Sequence, residues 1–354
     1  MGKPTRPAPN GFVRIARKVY NPIGFSKGCN FILFFIFAFA MFIFSLWNTP
    51  KINYNTYCME DGEMKGECFW YEKIALQKVA IIMHLAAILP AGALVCFQFV
   101  PVLRHKAMLF HRINGYLVIA LSIIGAIGGV IISRHSFGGG LDTQTFAGVA
   151  TIAFLVSMLI AYINIKRLQI EQHRAWMLRA WFYASSIITT RFVLIIGVSI
   201  LTYAGYHTAR SCEEVAFAMP DQNSTLELFP DCEVYFSGED PDKWVAVSAK
   251  FAANARAGVE VQAILGVMFG PACWIGFIIH AVGIELYLHL TPAEHERLRQ
   301  ISYQRQVKAG MRHPGSAGLT ADRLGDAAKW SPRDAPDGME MDDTSSASLP
   351  TTTR

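Results

Sequence analysis

Residues 173–191 read HRAWMLRAWFYASSIITTR, and this stretch decides how the rest of the chain is interpreted. It opens an apolar segment with a histidine and carries an arginine, Arg191, 18 positions later. On a helix that rises 1.5 Å per residue, the two positions lie about 27 Å apart along the axis. The segment therefore crosses most of a bilayer, with His173 near one surface and Arg191 deep in the membrane.

Apolar segments of this kind recur along the chain. Of 354 residues, 52% are hydrophobic and 17% are charged, which is too apolar for a soluble domain. Nearly uncharged runs long enough to cross about 30 Å of hydrocarbon occur at 29–47, 79–103, 113–133, 143–165, 180–203 and 261–284. We therefore predict an all-α, polytopic membrane bundle of six transmembrane helices within residues 29–290.

The charges between these runs predict an orientation. Residues 1–28 are basic and carry no Asp or Glu, so the positive-inside rule places this arm in the cytoplasm. The loop 206–256 then lies outside, where 244–257 has the composition of a surface helix. The tail 291–354 returns to the cytoplasm and is predicted to be largely disordered from Ser302 onward. The net charge of +5 collects beside membrane segments, which argues against a nucleic-acid partner.

The cysteines test this topology independently. Four of them fall in loops placed outside, which predicts two disulfides with three possible connectivities; the nearest-neighbour pairing, Cys58 with Cys68 and Cys212 with Cys232, is preferred. The same outer loop holds the glycosylation sequon Asn223-Ser224-Thr225. Both features favour a eukaryotic secretory-pathway or plasma membrane.

Histidines at the ends of membrane helices are candidate functional residues, because polar side chains there are costly unless used. Their depths predict an outer pair, His84 with His135, and an inner pair, His111 with His173. A b-type haem needs two imidazoles on facing helices, a flat slot and cations near its propionates. The candidate haem-binding set is His84, His111, His135, His173, Arg112, Arg179 and Arg191, with the histidines as iron ligands. Alternatively, the small residues near them pack helices directly, and the boundary histidines contact lipid headgroups.

Two motifs carry a resemblance to a known family. HRINGY at 111–116 and HRAWMLR at 173–179 resemble the patterns H-R-x-x-G-x-x-Y and H-x-x-W-M-x-R of a family of predicted membrane proteins of unknown function. Val118 stands where that family has its tyrosine. The likeness covers residues 79–191 and implies no reaction. Carried over by position, the family-type residues are His84, His111, Arg112, Gly115, His173, Trp176, Met177, Arg179 and Arg191.

A more distant similarity is to the four-helix core of b-type cytochromes and ferric-reductase-like membrane proteins, although the predicted fourth helix, 143–165, contains no histidine. It implies transmembrane electron transfer through haem b, with a separate molecule as electron donor. The alternative is a non-haem membrane enzyme or accessory protein that acts on a lipophilic metabolite in a biosynthetic pathway. A transporter or non-catalytic membrane protein is a third hypothesis.

Overall fold

The structure is a computed structural model that describes residues 10–25, 27–58, 65–251, 258–316 and 318–333. Within these ranges the α-helices are α1 (Gly11–Ile23), α2 (Gly28–Asn48), α3 (Tyr54–Cys58), α4 (Lys65–Lys73), α5 (Ala75–Gln98), α6 (Pro101–Lys106), α7 (Met108–Ile132), α8 (Leu141–Lys166), α9 (Ile170–Leu201), α10 (Cys212–Ala218), α11 (Gln222–Leu228), α12 (Glu233–Phe236), α13 (Gly258–His289), α14 (Pro292–Lys308) and α15 (Ala321–Leu324). Two strands, β1 (His207–Ser211) and β2 (Trp244–Ser248), form an antiparallel sheet.

Six of the described helices are long and apolar enough to cross a membrane: α2, α5, α7, α8, α9 and α13. The predicted all-α bundle with six transmembrane helices is confirmed. The helix ends are less accurate, since α5 ends at Gln98 and not at residue 103. The physical reason is Pro101, which opens α6 and disfavours helical backbone at Val100, whose ψ is 112°.

The chain divides into two compact units. The first comprises the described parts of Met1–Met158 and Leu178–Leu286. Its helices pack closely through small residues, as expected where apolar burial does not drive helix association. On α7, a Cβ added at Gly128 would lie 2.7 Å from the Ala80 carbonyl oxygen of α5, so the two helices are in backbone contact there.

Residues 49–58, 65–74 and 202–251 of the first unit form what we call the cap. Both predicted disulfides are present in it, with the pairing Cys58–Cys68 and Cys212–Cys232. The surface helix predicted for 244–257 is wrong over Trp244–Ser248, which is strand β2. Exposed and buried side chains alternate there, and Val245 and Val247 enter the core, because a strand has a period of two. Residues 252–257 lie outside the described residues.

The second unit comprises Leu159–Met177 and the described residues from Tyr287 onward. The predicted disorder from Ser302 is wrong for the described residues, because α14 continues to Lys308 and packs. The Ser302 hydroxyl accepts from the Ile170 amide at 2.9 Å and donates to Glu171. Residues of α14 and of the chain that follows it form what we call the tail cluster, which consists of Glu296, Arg299, Asp322 and Trp330.

Candidate functional site

The carboxyl group of Glu67 lies at the centre of a buried polar cluster in the first unit. Its residue is 6% exposed, and both carboxyl oxygens accept hydrogen bonds: Oε2 from the Tyr57 hydroxyl at 2.8 Å and Oε1 from the Phe137 amide at 2.7 Å. The donors come from separate segments of the chain, so the contact depends on the tertiary fold. We call this region the cap cluster, which consists of Tyr57, Glu67, Phe137, Arg191, Arg210 and Glu214.

The cap holds Tyr57 and Glu67 together through a disulfide. Cys58 directly follows Tyr57, and Cys68 directly follows Glu67, so the Cys58–Cys68 bond joins the two segments beside the hydrogen bond. The bond restricts the unfolded chain and thereby lowers the entropy lost when these side chains come together. The disulfide therefore positions the polar pair.

Phe137 supplies the second donor from a strained turn between α7 and α8. Its φ is 48°, in the left-handed region that side-chain-bearing residues rarely adopt. Its ring stacks on Phe269 of α13, with ring centroids 3.9 Å apart. The stacked ring and the bond to Glu67 hold the turn in a conformation of a kind that is enriched at functional sites.

Arg191 extends toward this turn from α9. Its guanidinium lies over the rings of Phe137 and Phe269, with Cζ 5.7 and 5.8 Å from the two centroids. None of the described carboxylates lies within 4.0 Å of it. The depth of Arg191 in the membrane stays a prediction, and the structure places its guanidinium against the turn between α7 and α8. An arginine in a span normally has a polar or anionic partner.

Arg210 and Glu214 form a second, paired part of the cluster. Arg210 Nη1 donates to Glu214 Oε1 at 3.1 Å, and their side chains are 10% and 6% exposed. A Cβ added at Gly266 of α13 would lie 2.8 Å from the Phe137 carbonyl oxygen and 2.9 Å from Arg210 Nη2, so the glycine lets both the turn and the guanidinium lie close to α13. A narrow cleft here is lined by Glu67, Phe137, Gly138, Arg210, Glu214, Gln262 and Leu265.

Burial sets the protonation of the cluster. It raises the pKa of Glu67 above its ordinary 4.5, although the bonds from Tyr57 and Phe137 and the charge of Arg191 oppose it. Burial likewise raises the pKa of Glu214 against the opposing effect of Arg210, and that of Tyr57 well above 10.0. The arrangement places a carboxyl group with a raised pKa near a cation that forms no ion pair with any carboxylate in the described part of the chain.

The predicted outer histidines have separate partners. His84 Nδ1 donates to the Gly125 carbonyl of α7 at 2.6 Å. His135 follows α7 and stacks on Trp70 of α4, with ring centroids 4.1 Å apart. Both contacts join secondary-structure elements of the first unit. His84 serves helix packing, and His135 helps seat α4.

The predicted inner histidines belong to different units. The backbone carbonyl of His111, in the first, accepts from Gln98 Nε2 at 3.2 Å. His173, in the second, donates through Nδ1 to the Ala161 carbonyl at 2.9 Å. Their joint function therefore stays a prediction. Of the accompanying arginines, Arg179 forms a bidentate pair with Glu285 at 2.6 and 2.8 Å, and Arg112 is exposed at the start of α7.

The packing at His84 does not fit a haem between α5 and α7. The contact of Gly128 with Ala80 puts the backbones of α5 and α7 against each other beside His84, and the His84 ring lies against Gly129. The Nδ1 bonds of His84 and His173 select a tautomer that suits an iron ligand and also suits a buried packing histidine. Haem binding stays a prediction, and we derive no chemistry from it.

The geometry and the six spans define a polytopic membrane protein with a disulfide-bonded cap. Residues 81–217 match the family described as "Predicted membrane protein (DUF2306)". The resemblance predicted from the two motifs is thereby confirmed for residues 81–217, which are similar to this family of multi-pass membrane proteins of unknown function. The matched segment includes Phe137, Arg191, Arg210 and Glu214, but not Tyr57 or Glu67.

A relative is the "Ava biosynthesis cluster protein G" of Aspergillus versicolor. It is 23% identical over 324 residues, which cover 79% of this chain and 94% of the relative. No solved structure matches the chain. The resemblance to b-type cytochromes receives no support from these comparisons.

Of the cap cluster, sequence reasoning identified Arg191 alone. It missed Glu67. The position of Glu67 beside Cys68 could have indicated it, because a disulfide in a short acidic loop can bury the residues next to it. It also missed Glu214, which follows Cys212 by two positions. The predicted glycosylation site, Asn223, is exposed on α11 and stays a prediction.

Proposed function

We propose that this protein is a membrane enzyme of a biosynthetic pathway, which acts on a lipophilic metabolite by proton transfer at the cap cluster. The observation that carries the proposal is the buried Glu67 carboxyl beside Arg191, a cation that no described carboxylate pairs. A carboxyl with a raised pKa is a typical general acid or base. The biosynthesis-cluster relative supports the pathway assignment.

The side chains take distinct roles in this proposal. Glu67 exchanges a proton with the metabolite, while Tyr57 and the Phe137 amide hold its two oxygens in place. Arg191 stabilises negative charge on the metabolite as the proton moves. The Arg210–Glu214 pair is internally neutralised, so it shapes the cleft. Since α9 crosses the membrane, a lipophilic molecule can approach Arg191 from the bilayer side.

The test is metabolite profiling of cells that lack the gene and are complemented with variants. Glu67→Gln keeps the shape of the side chain and removes its proton exchange, so we expect product to fall by about 10²- to 10⁴-fold and a precursor to accumulate. Glu213→Gln is the matched control, because Glu213 is an exposed cap glutamate paired with Lys73. Full product formation by Glu67→Gln would overturn the proposal.

Electron transfer through haem b is the competing function, and the Nδ1 bonds of His84 and His173 are compatible with it. A reduced-minus-oxidised absorption spectrum of the purified protein separates the two. A haem band lost on replacing either His111 or His173 with alanine would favour electron transfer, because a low-spin iron needs both axial ligands. Our proposal expects a spectrum without that band.

We further infer that both termini face the cytoplasm in a eukaryotic secretory-pathway or plasma membrane. The two disulfides of the cap support an oxidising environment on that side. Protease mapping of membrane vesicles tests it: the cap loop near Asp231 and the tail at Lys308 should be cleaved from opposite sides. Cleavage of both from one side would contradict this orientation.

A further inference from the structure

Helix α1 precedes the first span and is amphipathic, with one apolar face and one basic face. Phe12, Ile15 and Val19 are 79%, 64% and 56% exposed, and their spacing of three and four residues places them on one face. The opposite face carries Arg14, Arg17, Lys18 and Asn21. An apolar stripe with this much exposure is costly in water, so it needs an apolar partner.

The ends of α1 are well defined, so the stripe is a property of a complete helix. Asn10 caps the start by accepting from the Val13 amide at 2.9 Å. Gly24 ends it with φ of 101°, the left-handed conformation that glycine adopts without strain. Tyr20 is buried and stacks on Phe31 of α2, with ring centroids 5.9 Å apart. The end of α1 is thus seated at the start of a membrane span.

The surroundings of α1 are basic. A Cβ added at Gly24 would lie 3.0 Å from Pro101, so the end of α1 touches α6, whose last turn carries Arg104, His105 and Lys106. The sequence holds no Asp or Glu before Glu60. The end of α1 therefore contacts the start of the hydrophobic span α2, and basic residues of α1 and α6 lie at the same end of the bundle.

We propose that α1 lies in the membrane interface and binds the anionic headgroups of the leaflet at the amino-terminal end of α2. A helix with an apolar face and a basic face inserts the first into the acyl boundary and leaves the second among headgroup phosphates. Each basic residue near an anionic surface adds attraction. Continuity with the span favours the bilayer over a protein partner as the occupant of the stripe.

The test is hydrogen–deuterium exchange of the full-length protein in nanodiscs of phosphatidylcholine, with or without phosphatidylserine. We expect the α1 amides to exchange about tenfold more slowly in the anionic discs. Arg14→Glu with Lys18→Glu should abolish the difference between lipids, and Phe12→Ser with Val19→Ser should speed exchange in both. The matched control is Arg305→Glu with Lys308→Glu, two exposed positions on α14, which should leave α1 protection unchanged.

Protection of Ala75–Gln98 shows whether each variant is folded, and it should stay constant. Equal α1 exchange of the wild type in both lipids would overturn the proposal. So would α1 protection that rises with the number of protein copies per disc, because the stripe would then be covered by a second copy of the chain.

Discussion

The cap cluster and the tail cluster each hold a carboxyl group near an arginine, yet the pKa of that carboxyl is raised in the cap and lowered in the tail. In the tail, Arg299 holds both oxygens of Asp322, at 3.1 and 2.5 Å, and lowers the pKa of that carboxyl to about 2. In the cap, Glu67 takes its hydrogen bonds from Tyr57 and Phe137, and burial raises its pKa.

Burial and contact with a cation act against each other on the pKa of a carboxyl group. Burial prevails at Glu67 and also at Glu214, which contacts Arg210, whereas contact with Arg299 prevails at the less buried Asp322. The tail cluster has the geometry of a structural ion pair. In the cap cluster, Arg191 lies over aromatic rings and Glu67 accepts from neutral donors, which is an arrangement that costs stability and is typical of functional sites.

The largest expected effect comes from breaking the tail pair. Arg299→Ala leaves Asp322 without its cation and removes the guanidinium that lies 4.5 Å from the Trp330 ring centroid. We expect the second unit to lose about 3 kcal/mol, measured as opening free energies of α14 by hydrogen exchange. The matched control is Arg297→Ala, which breaks an exposed pair with Glu294 and should cost less than about 1 kcal/mol. Equal losses would show that burial does not distinguish these pairs.

The next largest effect is expected from removing the Cys58–Cys68 disulfide of the cap. Replacing Cys58 and Cys68 with serine opens the loop that joins Tyr57 to Glu67, so we expect the cap to lose about 2 kcal/mol and product formation to fall. Cys29→Ser, at an exposed free cysteine, is the control and should change neither. Product formation at the wild-type level without the disulfide would mean that it does not position the pair.

The smallest effect, on the order of 1 kcal/mol, is a pH dependence of opposite sign in the two clusters. Glu67 has its pKa raised above 4.5, so its contribution to stability is complete below 4.5 and is lost as pH rises through the raised value; Glu214 shares this sign. Asp322 has its pKa lowered from 3.8 to about 2, so its contribution is complete above 3.8 and is lost as pH falls toward 2.

Hydrogen exchange of cap and tail peptides across this pH range measures both slopes. Glu67→Gln should flatten the slope of the cap alone, and Asp322→Asn that of the tail alone. If stability changed with pH in the same direction in the two wild-type clusters, the proposed difference between Glu67 and Asp322 would be contradicted.

The sequence predicted those features of the fold that depend on local sequence pattern. Six spans follow from contiguous apolar runs, and the pairing of Cys58 with Cys68 follows from their short separation. The strand at Trp244 was missed because alternating apolar residues in a short stretch compete with a helix-favouring composition, and pairing with β1 decides between them. The order beyond Ser302 was missed because it depends on tertiary contacts such as Arg299 with Asp322, which composition does not report.

The candidate site was less predictable than the fold. Phe137 and Glu67 are 70 positions apart, and an acidic residue in an outer loop resembles a solvated charge until the fold buries it. Histidines were predicted as site residues because they are rare in spans, but His84 and His135 make packing contacts in the structure. Arg191 was identifiable because placing a charged side chain within a membrane span costs free energy, so such a residue normally has a function.

Infrared difference spectroscopy of the carboxyl C=O stretch, comparing wild type with Glu67→Gln, tests the central claim most directly. We expect wild-type protein to retain a protonated carboxyl band at a pH above the ordinary value of 4.5, because burial raises the pKa of Glu67, and we expect this band to be absent from the variant. Loss of the band in Glu67→Gln but not in Asp322→Asn would establish Glu67 as the exchangeable group. Identical spectra for wild type and Glu67→Gln at that pH would contradict the account.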